Sequence, residues 1–85
     1  MINLKPSDLP SVFMNNLKAA RKLRGMSQLA LAEKLHMGYV SVNRWENGVQ
    51  SPTLDTVVKI AEALNVSPEA LLSEIGSEIF STTST

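Results

Sequence analysis

The segment from Ser27 to Gly48, SQLALAEKLHMGYVSVNRWENG, most constrains how this chain of 85 residues can fold. Its apolar residues recur at the three- and four-residue spacing of amphipathic helices, and Gly38 interrupts this pattern near the middle. Ser27 is a favourable N-cap for the first helix, and Asn47 followed by Gly48 is typical of a helix end. The segment therefore predicts two short helices joined by a turn at 36–38.

Similar local signals predict three more helices around this pair. Helical spacing indicates one helix over 11–24 and another over 54–64. Ser67 and Pro68 are typical of an N-cap and a first helical residue, so they predict a fifth helix that ends near Gly76. In the helix over 54–64, one buried stripe is expected to contain Leu54, Val57, Val58, Ala61 and Leu64.

The composition favours one small helical domain. Its single Trp, single Tyr and two Phe leave a core of mainly aliphatic residues, which are compatible with helices. We predict an all-α domain of five helices over 11–76, an N-terminal arm over 1–10 and a C-terminal tail over 77–85. Without cysteine and with one histidine, the chain offers no disulfide, metal or cofactor site.

Other functional classes find little support in the sequence. No apolar run approaches the ~20 residues of a membrane helix, and the first residues do not resemble a signal peptide, so a cytoplasmic protein is expected. No nucleophile is paired with a base, and no glycine-rich phosphate loop is present. Five short helices also leave no deep cleft, so we predict that the protein is not an enzyme.

Charge is distributed unevenly although the formal net charge is zero. Residues 1–50 carry seven basic and three acidic side chains, a net charge of +4, whereas 51–85 carry one basic and five acidic side chains, a net charge of −4. Such a molecule can present a basic face to phosphate groups. Lys18, Lys22 and Arg24 lie off the apolar stripe of helix 1 and are expected to be solvated or near phosphate.

The second helix of the central pair has two chemically different faces. On a wheel of about 100° per residue, Val42, Trp45 and Glu46 share the side expected to pack. The opposite side carries a phenol, a small apolar group, an amide and a guanidinium, on Tyr39, Val40, Asn43 and Arg44. These groups suit contacts with purine edges, thymine methyl groups and phosphates. The pattern predicts insertion of this helix into the major groove of DNA.

The segment SQLALAEKLHMGYVSVNRWENGVQSP resembles the helix-turn-helix core of the Cro and C1 repressor type, the XRE family. The shared features are the Ser-Gln opening, the Leu-Ala pair, the short turn and the Trp-Glu-Asn-Gly ending before Pro. The resemblance extends from about Phe13 to Leu72. It implies a lambda-repressor-like fold in which helices 2 and 3 form the helix-turn-helix.

The resemblance also implies roles for individual residues. Base edges are expected to be contacted by Tyr39, Val40, Asn43 and Arg44. Phosphate contacts are expected from Ser27, Gln28, Asn47 and Thr53. Gln28 is further expected to brace a recognition side chain. Arg21 and Glu46 match a partly buried ion pair that joins helix 1 to helix 3.

These residues predict a sequence-specific transcriptional regulator that binds double-stranded DNA as a homodimer. One recognition helix covers few base pairs, and two placed about 34 Å apart on a palindromic operator multiply the specificity. Helix 5 and the segment before it are expected to form the dimer interface, through Leu71, Leu72, Ile75, Ile79 and Phe80. The alternative is an antitoxin- or adaptor-type module that binds a protein partner, with DNA binding secondary. The neutral net charge and the apolar Leu29, where the family usually has a polar residue, favour that alternative.

Overall fold

The computed structural model describes residues 9–73, which form five helices joined by short turns. In chain order these are α1 (Leu9–Leu23), α2 (Gln28–Lys34), α3 (Tyr39–Glu46), α4 (Leu54–Leu64) and α5 (Pro68–Leu72). Helix α1 packs against α3 and α5, α2 packs against α3, and α4 packs against α5. Over this range there is no strand, and the predicted all-α, five-helix class is confirmed. None of these five helices is long and apolar enough to cross a membrane.

Side-chain caps explain where three of the helices begin. Ser27, Thr53 and Ser67 have extended backbones, and each side chain accepts a hydrogen bond from the backbone N–H three residues later. These bonds satisfy N–H groups that have no partner inside the helix. Helix α3 follows Gly38, which has no side chain to make such a bond. The predicted N-caps of α2, α4 and α5 are confirmed.

Left-handed residues end three helices, as their sequence predicts. Gly25 (φ +69°) follows α1, Gly48 (φ +71°) follows α3, and Asn65 (φ +55°) follows α4. A Cβ atom on Gly48 would also lie 3.1 Å from the Sδ atom of Met14 on α1. Glycine is therefore favoured at 48 both by the left-handed backbone and by the nearby Met14 sulfur, which a side chain would displace by a few tenths of an ångström. His36, in the turn between α2 and α3, also has a positive φ, of +57°.

The core consists of aliphatic side chains from all five helices, together with one Trp and one Phe. Its buried members are Phe13, Leu17, Ala20, Leu31, Ala32, Val42, Trp45, Val57, Ile60, Ala61, Leu64 and Leu71. One polar residue, Asn16, is fully buried beside them. Its Nδ2 atom donates to the backbone carbonyls of Leu71, at 2.9 Å, and Ser73, at 2.8 Å. Asn16 therefore ties the middle of α1 to the end of α5.

The predicted buried stripe of α4 is partly wrong. Leu54 and Val58 are 71% and 41% exposed, whereas Ile60 is fully buried. The observed stripe therefore contains Val57, Ile60, Ala61 and Leu64. Apolar residues cover most of the circumference of this helix, so their spacing alone does not identify the side that packs.

Two predicted helix boundaries also differ from the structure. Helix α1 begins at Leu9, two residues before the expected start, and Pro10 lies in its first turn, where proline is compatible with a helix. Helix α5 ends at Leu72 rather than near Gly76, and Ser73 is extended. The bonds from Asn16 hold two carbonyls at this point and favour the early end.

One predicted dimer contact requires correction. Leu71 is fully buried in the core of a single chain, so its side chain is not available to a partner. Leu72 is half-buried against the same core. Ile75, Ile79 and Phe80 lie outside the described residues, as do most of the predicted arm and the predicted tail.

Candidate nucleic-acid interface

Helix α3 has one buried face and one exposed face, as the helical wheel predicts. Val42 is fully buried, Trp45 is 3% exposed and Glu46 is 6% exposed. The opposite side presents three of the predicted base-contacting residues, Tyr39, Val40 and Arg44. Asn43, which the wheel places on the same side, is half-buried and contacts Gln28 of α2. The buried face fixes the helix on the domain and leaves the other face open for contacts.

Arg21 of α1 and Glu46 of α3 form the ion pair that the resemblance implies. The Nε atom of Arg21 donates to Glu46 Oε2 at 2.6 Å, and Nη2 donates to Oε1 at 2.9 Å. A third donor, Arg21 Nη1, bonds to the backbone carbonyl of Met26 at 2.7 Å. The hydrogen bonds to Glu46 raise the pKa of Arg21 more than burial lowers it. Arg21 thus joins α3 to α1 and to the turn that precedes α2.

Three carboxamide side chains continue from Glu46 towards the exposed side of α3. Gln28 Nε2 donates to Glu46 Oε1 at 3.1 Å, and Asn43 Nδ2 donates to Gln28 Oε1 at 3.2 Å. Asn47 Nδ2 then donates to Asn43 Oδ1 at 3.1 Å. Gln28, Asn43 and Asn47 together form the amide relay. It connects three of the predicted DNA-contacting residues to the buried ion pair.

Some hydrogen bonds of this relay could be predicted from the sequence, and others could not. Asn43 and Asn47 are four residues apart on one helix, a spacing that brings side chains together. The resemblance implies that Gln28 braces a recognition side chain, and Asn43 is the residue that it contacts. The bond between Gln28 and Glu46 joins two helices across 18 residues of sequence, so no local pattern shows it.

The predicted phosphate-contacting hydroxyl groups lie at exposed helix starts. Ser27 Oγ accepts a hydrogen bond from the backbone of Ala30 at 3.0 Å. Thr53 Oγ1 accepts from the backbone N–H of Thr56 at 3.3 Å and lies 3.0 Å from the Thr56 hydroxyl. These hydrogen bonds show that Ser27 and Thr53 cap α2 and α4. Their contact with phosphate remains a prediction.

One basic residue of the expected solvated face of α1 is bound within the protein. Arg24 Nε donates to the backbone carbonyl of Leu64 at 2.7 Å, and Nη2 donates to that of Asn65 at 3.0 Å. These carbonyls lie at the C-terminal end of α4, where a positive charge is favourable. Lys18 and Lys22 are exposed, as expected. Arg24 instead joins α1 to α4.

A family of helix-turn-helix proteins matches residues 17–71, which extend from the middle of α1 into α5. The chain belongs to this helix-turn-helix family. The match includes both helices of the pair, α2 and α3, and it confirms the resemblance to the Cro and C1 repressor type. The exposed face of α3 is therefore the outer face of the second helix of a helix-turn-helix.

Two bacterial proteins are similar in sequence to this chain. The HTH-type transcriptional regulator ImmR of Bacillus subtilis (strain 168) is 38% identical over 56 residues, which are 66% of this chain and 44% of ImmR. The chain thus spans less than half the length of ImmR. The control protein C.SmaI of Serratia marcescens is 38% identical over 72 residues, which are 81% of this chain and 82% of C.SmaI.

A solved structure is similar over most of its length. The crystal structure of a hypothetical transcription factor, NHTF, from Neisseria has a TM-score of 0.76 and 27% sequence identity. The match covers 86% of this chain and 84% of NHTF. The fold of this chain is therefore shared with a protein described as a hypothetical transcription factor.

Proposed function

We propose that this protein is a transcriptional regulator that binds specific DNA sequences with the exposed face of α3 in the major groove. The two-sided character of α3 within a helix-turn-helix pair carries this proposal. Val42 and Trp45 hold one side in the core, while the other side offers groups that suit base edges. The Arg44 guanidinium matches the acceptors of guanine, and Val40 matches a thymine methyl group.

Contacts with phosphate would orient this helix without reading sequence. We assign them to Ser27, Gln28, Asn47 and Thr53, which lie at the ends of α2, α3 and α4. The exposed lysines Lys18, Lys22 and Lys34 add positive charge. Arg21 is bonded to Glu46, and the exposed Arg24 is bonded to backbone carbonyls at the end of α4, so both contribute to the field around the domain rather than to direct contacts.

A selection of binding sites from random duplex DNA tests this proposal. We expect enrichment of one short palindromic sequence, with an affinity that falls steeply as the salt concentration rises. The lysines and Arg44 supply that salt dependence because binding releases counterions from the phosphates. A selection that enriches no sequence would contradict the proposal.

Arg44→Ala is the first variant to examine on the selected operator. If Arg44 reads a base pair, the variant loses about 1–3 kcal/mol of discrimination at that base pair. Fluorescence anisotropy on a set of single-base operator variants measures this loss. Lys34→Ala, which removes another exposed charge, is expected to weaken binding to all sequences equally. The same uniform loss in Arg44→Ala would show that Arg44 contacts only phosphate.

We also propose that the regulator binds its operator as a homodimer. One α3 helix covers only a few base pairs, and a palindrome with half-sites about 34 Å apart requires two copies. The proposed contact surface contains Leu72, Ile75, Ile79 and Phe80. Sedimentation velocity with and without operator DNA tests this point. A monomer at every concentration, with one chain bound per operator, would contradict it.

A second candidate function is a protein-binding module with secondary DNA binding. The observation that favours it is the exposure of Leu29, 55% of whose surface is open on α2. A large apolar side chain at this position suits a protein partner better than a phosphate backbone. Binding without sequence preference in the selection experiment supports this candidate, whereas enrichment of a palindrome supports the regulator.

A further inference from the structure

In the amide relay, each side-chain nitrogen donates towards Glu46 and each side-chain oxygen accepts from the next amide. The hydrogen-bonding chemistry of Glu46 explains this common orientation. The Glu46 carboxylate contains only hydrogen-bond acceptors, and the Arg21 guanidinium contains only donors. A carboxamide has a donor side and an acceptor side, and its two flipped orientations occupy almost the same volume. The orientation of each relay amide is therefore decided by its hydrogen-bond partners rather than by its shape.

Glu46 decides the orientation of Gln28. If Gln28 were flipped, its oxygen would face Glu46 Oε1 at a distance of about 3.1 Å, and two acceptors would oppose each other. With its nitrogen directed at Glu46, Gln28 presents its oxygen to Asn43. Asn43 therefore has to donate a hydrogen bond from its nitrogen. Asn43 then presents its oxygen to Asn47. Each orientation follows from the one before it.

Burial along the relay has the same order. The side chain of Glu46 is 2% exposed, Gln28 and Asn43 are half-buried, and Asn47 is exposed. A mismatched pair of polar atoms costs most where water cannot compensate, at the Glu46 end. The exposed Asn47 can exchange its partner for water. The inner end of the relay is therefore fixed, and the outer end follows it.

We propose that Glu46 is a positioning residue for DNA recognition. Held by Arg21, it determines through Gln28 which edge of the Asn43 amide is presented to a base pair. The inference rests on the proposed function, since it assigns a cause to the orientation of one proposed base contact. Beyond its two bonds in the relay, Asn43 retains one amide hydrogen and one oxygen lone pair for DNA. A buried ion pair that does not contact DNA would thus determine which hydrogen-bond donors and acceptors of a base pair Asn43 recognises.

Glu46→Gln is the direct test of this positioning role. A carboxamide at 46 can present either nitrogen or oxygen to Gln28, so the direction of the relay is no longer imposed. Asn43→Ala first identifies the operator base pairs whose preference depends on Asn43. At those base pairs, discrimination by Glu46→Gln is expected to fall about fivefold or more, while preference at other base pairs is retained.

Gln28→Met provides a second variant that leaves the ion pair intact. It keeps the length of the side chain but interrupts the relay between Glu46 and Asn43. Discrimination at the same base pairs is expected to fall, and adding Glu46→Gln should cause no further change there. If Gln28 served only to bind phosphate, its replacement would instead weaken binding to all sequences equally. Val57→Ala, a buried change in α4 outside the relay, is the control for lower stability and should retain every base preference.

A measurement on the free protein separates the relay from DNA binding. In ¹⁵N-labelled protein, the side-chain amide resonances of Gln28, Asn43 and Asn47 report on their hydrogen-bond partners. All three should shift in Glu46→Gln, and they should stay in place in Val57→Ala. Circular dichroism confirms that each variant is folded at the temperature used.

The outcomes distinguish this inference from the proposed function. Resonances of Asn43 that do not move in Glu46→Gln overturn the inference. Resonances that move while every base preference is retained also overturn it, because Glu46 would then orient an amide that DNA does not read. A wild-type protein that selects no sequence overturns the proposed function, and the resonances alone then decide whether Glu46 orients the relay.

Discussion

Side-chain hydrogen bonds have different roles in two parts of the domain, one centred on α2 and α3 and the other formed where α1 meets α4 and α5. We refer to these two parts as the two halves of the domain. Around α2 and α3, the Arg21–Glu46 pair and the amide relay join side chains to side chains, and Arg21 makes one further bond, to the backbone carbonyl of Met26. Around α1, α4 and α5, Asn16 and Arg24 donate to backbone carbonyls at helix ends. A bond to a backbone carbonyl fixes where a helix lies, whereas the bonds of the amide relay fix how side chains are oriented, and the Arg21–Glu46 pair does both. The side chains around α2 and α3 therefore also determine the presented surface, whereas Asn16 and Arg24 determine only the arrangement of the helices.

Breaking the ion pair from one side should give the largest effect. Glu46→Ala leaves the charge of Arg21, which is 8% exposed, without its partner, so we expect a loss of about 3–5 kcal/mol in the free energy of unfolding. Urea denaturation followed by circular dichroism measures this loss. The double variant Arg21→Met/Glu46→Leu removes both charges and should recover most of the stability. A single-variant loss below about 1 kcal/mol would contradict the burial argument.

The buried amide of α1 should give a smaller effect that is confined to stability. Asn16→Ala removes the donor to the carbonyls of Leu71 and Ser73, and we expect a loss of about 1–3 kcal/mol by the same denaturation measurement. Asn15→Ala, an exposed change next to it, should alter stability by less than about 0.5 kcal/mol. Base preference on the selected operator should be the same in both folded variants. A changed preference in Asn16→Ala would remove the distinction between the two halves.

The smallest effect is expected where α1 meets the end of α4. Arg24 is exposed, so Arg24→Ala should cost about 0.5–1.5 kcal/mol through two hydrogen bonds and a favourable charge at a helix C-terminus. Lys22→Ala removes a similar exposed charge that makes no bond to another helix in the described part of the chain. Thermal unfolding of the two variants at low salt compares them. Equal losses would show that the bonds from Arg24 contribute nothing beyond its charge.

Local chemistry explains how much of the fold could be predicted. N-caps at Ser27, Thr53 and Ser67 and left-handed residues at Gly25 and Gly48 act on neighbouring residues, so the sequence indicates the helix ends directly. The buried side of α4 depends instead on the elements around it. Helical spacing alone therefore assigns Leu54 and Val58 to the wrong side.

Contacts between distant residues explain what could not be predicted. Arg24 bonds to carbonyls 40 and 41 residues away, and Asn16 to carbonyls 55 and 57 residues away. Asn16 has a partial signal, because it lies three residues after Phe13, on the apolar side of α1. For the candidate site, the exposed and buried faces of α3 could be predicted from its period. The direction of the amide relay could not, because it depends on which atoms of α2 meet which atoms of α3.

The close approach of Gly48 to Met14 couples the sizes of the side chains at two positions that are distant in sequence. The Met14 sulfur lies 3.1 Å from the position that a Cβ atom at 48 would take, and the left-handed backbone separately favours glycine there. In a related chain, a side chain at 48 would therefore displace the Met14 sulfur by a few tenths of an ångström, which a shorter residue at 14 would avoid, while the backbone would still favour asparagine over other substitutes. We expect these two positions to covary among homologues, so that the size of the residue at 14 indicates how closely the end of α3 approaches α1.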